Sequence, residues 1–362
     1  MASAKSLTSF LLLSLAAFAL HIFIHSPISP HFLQFPPPSS SPPYLYSSFQ
    51  SVEKIGEGLL KDPEDVVMDE RSGFMYTATR DGWVMRMHRN GTWEKWVRPT
   101  QGHTLLGIAT SASGKLLVCD TEKGLLEVSD EAVNVLASHV QGSQINFADD
   151  VIEASDGSIY FSVATTKFGL HNWYLDILEA KPHGQLLKYD PSSKQTTILL
   201  DHLGFANGVA LSKDQDYVLV CESWKFRCLK YWLKGDKRGT AEIFIDNLPG
   251  CPDNINLAPD ESYWIALLQV SPDYLKFVHN WRVLKHLVAY FPRLMKLVMG
   301  MKEKATVVKV GADGKIEKMF DDPDAKVLSF VTSAVEFEDH LYLGSLNSNF
   351  IGKLPLKTIT AT

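Results

Sequence analysis

The chain has 362 residues, more than one typical domain but within reach of a single large closed β fold. It is 45% hydrophobic and 11% aromatic, which excludes wholesale disorder. Lys and Arg number 35 against 41 Asp and Glu, so the net charge of −6 offers no basic domain for nucleic acid, and four cysteines cannot be the main staple of the fold.

Residues 1–25 read as a signal peptide or membrane anchor. Lys5 is the one charge, and Phe10 to Ile24 run almost purely apolar. Ala17 and Ala19 form a small-x-small pair after which a signal peptidase can cut, while recruitment of residues up to Ile28 would give an uncleaved span. Both readings stay open, and both send the chain into the secretory pathway: endoplasmic reticulum lumen or membrane, vacuole or extracellular space. Residues 26–48 are rich in Pro and Ser and read as a linker. Asn90-Gly91-Thr92 is a glycosylation sequon, in keeping with that route. An oxidising lumen permits disulfides, and Cys221 and Cys228 flank a segment short enough to pair across neighbouring strands. Two unrelated thiols are the alternative, and Cys119 and Cys251 have no obvious partner.

Residues 49–362 repeat. Each unit has a short first strand, a turn, then two or three more strands. Unit one reads PEDVVMD, a turn at Ser72-Gly73, then FMYTATR, WVMRMHR and WEKWVRP; unit four reads FANGVALS, YVLVCES, CLKYWL and AEIFIDNL. First strands begin near Glu64, Gly107, Ala148, Ala206, Asp253 and Thr332, which are 43, 41, 58, 47 and 79 residues apart. Four strands in roughly 40–50 residues is a propeller rhythm. The expected fold is therefore all-β, a six-bladed β-propeller. The last unit is short of strands, and residues 49–55 are expected to supply the missing outer one. Two insertions carry helical patterns. Residues 167–183 interrupt unit three. Residues 272–304 interrupt unit five, are apolar and basic, and contain Pro292, expected to divide them into two helices. The second insertion reads as a cover over one propeller face or, through residues 276–304 together with residues 1–25, as a membrane contact.

In a propeller the innermost strands line the channel, so their starts converge. Glu64, Asn146 to Asp149, Asn207, Asp253 and Asn254 recur at that phase. Carboxylate and amide oxygens together suit a hard cation such as Ca2+. Each motif alone is also an ordinary turn signature. No GxSxG, HExxH or CxxC pattern is present, and His103 is the histidine placed to face the channel as a base.

PEDVVMD, FANGVALS, YVLVCES, KFRCLKYWLKG, FIDNLPGCPDNINLAP and HLYLGSL together resemble the plant strictosidine synthase-like family, over roughly residues 50–356. That family is similar, more distantly, to adipocyte plasma membrane-associated proteins and to calcium-dependent paraoxonases and lactonases, all six-bladed propellers. The resemblance to the lactonases implies a metal set of Glu64, Asn146, Asn207, Asp253 and Asn254. It also implies a histidine before the Gly-Ile of unit two, where this chain has Leu106. Resemblance to strictosidine synthase implies a glutamate twelve residues before Gly344, where this chain has Thr332; Glu336 lies four residues later, about 13 Å along a strand. The expectation is a calcium-binding hydrolase of a small apolar ester or lactone. His103, Asp149 and Glu336 are its candidate catalytic residues. The alternatives are a non-catalytic scaffold and an amine–aldehyde condensing enzyme of alkaloid biosynthesis.

Overall fold

The computed structural model describes residues 2–35, 45–49, 51–268, 272–294, 304–322 and 324–356. Six antiparallel four-stranded sheets follow one another along the chain. Their innermost strands are Pro63–Asp69, Leu105–Thr110, Ala148–Glu153, Ala206–Leu211, Cys251–Leu257 and Val331–Phe337. Each touches the innermost strands of the two neighbouring blades, and the last touches the first. The result is a six-bladed β-propeller.

The ring closes with strand Glu53–Ile55, which pairs antiparallel with Ile351–Pro355 as the outer strand of blade six. Closure removes the long exposed edges that an open six-sheet array would present. Leu45–Ser48 adds a parallel strand outside blade five, against Ile316–Asp322, so the end of the 26–48 segment belongs to the propeller. Residues 36–44 lie outside the described residues.

The strands form because their apolar residues face neighbouring blades on both sides. Between blades five and six, Trp264, Phe320, Leu341 and Leu343 share one buried cluster with Phe49 from the closing segment. Cys221 and Cys228 sit directly opposite each other on paired strands of blade four and are joined as a disulfide. Cys119 and Cys251 are buried and free.

Chain direction fixes two faces. Innermost strands start at one face and turn at the other, at Gly73, Gly114 and Gly157, each with the positive φ such turns need. Connections from second to third strand return to the starting face, and both insertions are such connections. The first carries the helical turn Leu170–Asn172 and helix α2, Trp173–Glu179. The second carries α3, Pro272–His279, and α4, Arg282–Tyr290. The break between them falls at Asn280-Trp281, not at Pro292. Proline fits the first turn of a helix, and Pro292 opens a further helical turn. Residues 269–271 and 295–303, including Lys296 and Lys302, lie outside the described residues. The N-terminal helix α1, Ala2–His25, is long and apolar and packs on α4.

Candidate functional site

Every innermost strand begins with the same device. Ladder register shifts at Pro63/Asp65, Leu105/Ile108, Ala148/Val151, Ala206/Val209, Pro252/Ile255 and Val331/Ser333. Such bulges re-aim side chains. In four blades the residue just before the strand is left-handed: Asp62, Phe147, Phe205 and Phe330 have φ of 48°, 57°, 63° and 50°. A bulky residue there costs about 1–2 kcal/mol. The three phenylalanines use that turn to face a common cavity.

The re-aimed residues form two rings. The first is Glu64, Leu106, Asp149, Asn207, Asp253 and Thr332. All but Thr332 line a cavity of about 300 Å³. Thr332 instead donates its hydroxyl to the Glu64 carbonyl at 2.6 Å. The second ring is Asp65, Gly107, Asp150, Gly208, Asn254 and Ser333, and it holds the blades together. Asp65 accepts from the Ile108 backbone N–H of blade two at 3.0 Å and from the Ser333 hydroxyl of blade six at 2.5 Å. Asp150 accepts from the Val209 N–H of blade four at 2.7 Å. Glycine is required at Gly208, because a Cβ there would stand 2.5 Å from the Ile255 nitrogen and 2.6 Å from the Asp253 carbonyl oxygen.

Cavity walls are aromatic and aliphatic. Phe147, Phe205 and Phe330 are joined by Trp173 from α2 and Trp224 from blade four, with Leu106 and Leu268. The Trp224 indole donates to Asp176 Oδ1 at 3.0 Å, beneath α2. Burial pushes the Asp176 carboxyl up to about 7. Arg80 brings a cation to the lining.

The cavity floor carries oxygens without partners. Glu64 Oε2, Asn207 Oδ1, Asp253 Oδ2 and Asn254 Oδ1 are buried with no hydrogen-bond donor among the described residues. Leaving such atoms unmet costs about 1–3 kcal/mol each, more when charged. Asn254 Nδ2 donates to Glu64 Oε1 at 2.8 Å. Burial, and then the neighbouring carboxylates, hold Glu64 and Asp149 well above the usual carboxylate range. Burial lifts Asp253 to about 8, opposed by a hydrogen bond from Asn207. This donor set fits a hard divalent cation, which would meet the orphan oxygens and offset the mutual repulsion. No ready cluster of three or more His, Cys, Asp or Glu ligands forms among the described residues. Two of the four orphan oxygens belong instead to asparagine amides, which bring lone pairs to the floor without adding charge.

Four of the five expected metal residues, Glu64, Asn207, Asp253 and Asn254, meet at this floor. Asn146 does not. The left-handed turn at Phe147 leaves Asn146 exposed on the loop, and the strand that follows delivers Asp149 instead. His103 is outside the cavity lining as well. Its Nδ1 lies 2.9 Å from Asp120 Oδ1 and its Nε2 3.4 Å from Glu122, while the next residue, Thr104, faces the cavity. Glu336 is remote from the floor. Trp264 Nε1 donates to its Oε2 at 2.6 Å, and Lys309 is 3.7 Å away, so it ties blade six to blade five. The aromatic walls were missed from sequence. The signal was present: Phe precedes the inner strand in FADD, FANG and FVTS.

Fold and floor together define a six-bladed propeller with an oxygen-lined site at one end of its channel. A Xanthomonas campestris gluconolactonase has this fold, with a TM-score of 0.60 at 14% identity, covering 91% of this chain and 99% of that one. Regucalcin from Agrobacterium tumefaciens, a calcium-binding protein, gives 0.54 at 11% identity over 86% and 95%. Sequence likeness is closer elsewhere. Strictosidine synthase-like protein 4 of Arabidopsis thaliana is 36% identical over 327 residues, 88% of this chain and 86% of the relative. Mouse adipocyte plasma membrane-associated protein is 31% identical over 366 residues, 93% and 86% of the two chains. The strictosidine synthase family model matches residues 149–236, and the strictosidine synthase-like N-terminal model matches residues 48–87. The chain belongs to the strictosidine synthase-like family.

Proposed function

We propose that this propeller is a Ca2+-binding hydrolase of a small apolar ester or lactone, working in the secretory pathway. The observation that carries this reading is the set of four buried, unpartnered oxygens on Glu64, Asn207, Asp253 and Asn254 beneath an aromatic-walled cavity. These residues would hold the ion, with the Glu64 and Asp253 charges matching its own. When bound, the ion supplies an electrophile for a carbonyl oxygen. The chain's residues do the rest. Phe147, Phe205, Trp173 and Trp224 take the apolar body of the substrate and exclude bulk water. Asp149 faces the cavity, and its raised proton affinity suits it to accept a proton from water. The gluconolactonase and regucalcin likenesses support the fold; the floor supports the chemistry.

Elemental analysis of the full chain, purified without chelator, tests the ion. The expected result is one calcium per chain, lost in Glu64→Gln. Hydrolysis of aryl acetates and aliphatic lactones by the loaded protein tests the reaction. No calcium at millimolar supply would overturn both parts. A second reading is a non-catalytic scaffold, favoured by Leu106 and Thr332 at ring positions where a base or acid would stand. Bound calcium with no turnover across that panel supports it. Amine–aldehyde condensation is the least favoured reading, since Thr332 is engaged with the Glu64 carbonyl and has no titratable group to offer.

A further inference from the structure

We propose that the cavity face of the propeller lies against a lipid bilayer, held by α1 within the membrane and by α3–α4 as a second, interfacial contact.

Ser6–His25 is a 20-residue helical stretch with mean hydropathy 2.2, and 6% of its most apolar window is buried. It is about 30 Å long, the thickness of a hydrocarbon core. Its last two turns rest on α4. Phe18 meets Phe291 at 6.4 Å, Phe23 meets His286 at 5.0 Å, and His21 Nε2 lies 3.0 Å from the Tyr290 hydroxyl. Phe18 to His25 spans about 10 Å of helix axis, which sets α4 at the depth of an interfacial helix.

The chain leaving α1 is fixed to the cavity cover. Ser29 and His31 donate backbone N–H groups to the Glu179 side chain and carbonyl of α2, at 2.8 and 2.7 Å. Arg282 donates to the Pro30 carbonyl at 3.1 Å, and Lys285 to the His31 carbonyl. Ile28 and Leu33 are buried in the same cluster as Trp224, Phe147 and Phe205 of the cavity wall. The helix direction is thereby locked to the propeller.

The cover's outer surface is apolar where a soluble protein would be polar. Phe277, Trp281 and Val283 are 59%, 60% and 74% exposed. Residues 276–294 contain Lys276, Arg282, Lys285 and Arg293 and no Asp or Glu. Exposed aromatics beside unopposed cations fit an anionic headgroup layer. The glycosylation sequon gives an independent check. Asn90 is exposed in a turn between the third and fourth strands of blade one, at the face opposite the cover, so a glycan there would point away from the lipid.

The test uses the full chain in vesicles of phosphatidylcholine with a minority of phosphatidylserine. Val283→Cys carries an environment-sensitive fluorophore; Asn90→Cys carries the same label as the control. Both positions are exposed, so the fold tolerates the change. The label at 283 is expected to emit to the blue of the label at 90, to be quenched several-fold more by nitroxide lipids, and to be shielded from aqueous iodide. Equal iodide quenching at both positions overturns the proposal. So does a blue-shifted label at 283 that nitroxide lipids do not quench, which would mean a protein partner or second copy on α3–α4. No substrate or metal enters the measurement, so its failure is separate from that of the hydrolase reading.

Discussion

Asp253→Asn is the substitution that most directly interrogates the floor. The Asp253 carboxyl is buried beside Asn207 and its proton affinity is raised from 3.8 to about 8. A carboxyl raised in the folded state favours folding below its unfolded value and loses that contribution as pH climbs to the folded one. The window is therefore from about pH 4 to pH 8. The gap between 3.8 and about 8, at about 1.36 kcal/mol per pH unit, gives roughly 5 kcal/mol of stability lost by chelated protein across it. At roughly 2 °C per kcal/mol for a chain of this size, the melting temperature falls by about 10 °C. Asparagine has the same shape and no charge, and its amide can donate to the orphan Asn207 Oδ1. In chelator at pH 8 the variant should melt above the parent by an amount of this order, and at pH 5 by much less. Added calcium should raise the parent and leave the variant nearly unmoved. Thermal unfolding at both pH values, with chelator and then with calcium, reads all of this. A variant less stable than the parent in chelator at pH 8 would refute the reasoning, because burying the Asp253 charge could not then be what limits the stability of the floor.

Three further outcomes follow from the ring geometry. Gly208→Ala puts a Cβ 2.5 Å from the Ile255 nitrogen and 2.7 Å from the Asn254 Cα, so blades four and five must part. It should cost about 1–3 kcal/mol in urea unfolding and lower calcium stoichiometry with it. Asp150→Ala strips the acceptor from the buried Val209 and Val151 N–H groups, and should cost about 2–4 kcal/mol by the same assay. Glu336→Gln removes the charge facing Lys309 but can keep an oxygen for the Trp264 indole; it should leave calcium binding and any hydrolysis within twofold or so of the parent, the range expected away from the site. A loss of turnover with calcium retained would return Glu336 to the catalytic candidates.

Much of this protein is written in short-range pattern. Propeller strands pair with their sequence neighbours, so apolar alternation and turn residues recur at blade spacing and disclose the fold. Closure by residues near Val52 was legible because blade six runs out of chain. The oxygen-bearing starts of blades one, four and five, Glu64, Asn207 and Asp253, could be aligned for the same reason. Blade three could not be settled that way. NFADD offers Asn146, Asp149 and Asp150 within five positions, and only the left-handed backbone at Phe147 and the bulge after Ala148 decide which side chain faces the channel. Asp149 goes to the cavity, Asp150 to the next blade and Asn146 to water. Likewise His103 and Thr104 are adjacent in sequence, yet Asp120 holds the first outside the cavity that the second lines. Trp173 and Trp224 lie 51 residues apart and meet at a ring-centroid distance of 6.1 Å because α2 folds back over blade four. Local sequence fixes which residues are available at each strand start. Their direction depends on backbone turns stabilised by contacts from other blades, and those contacts exist only once the ring has closed.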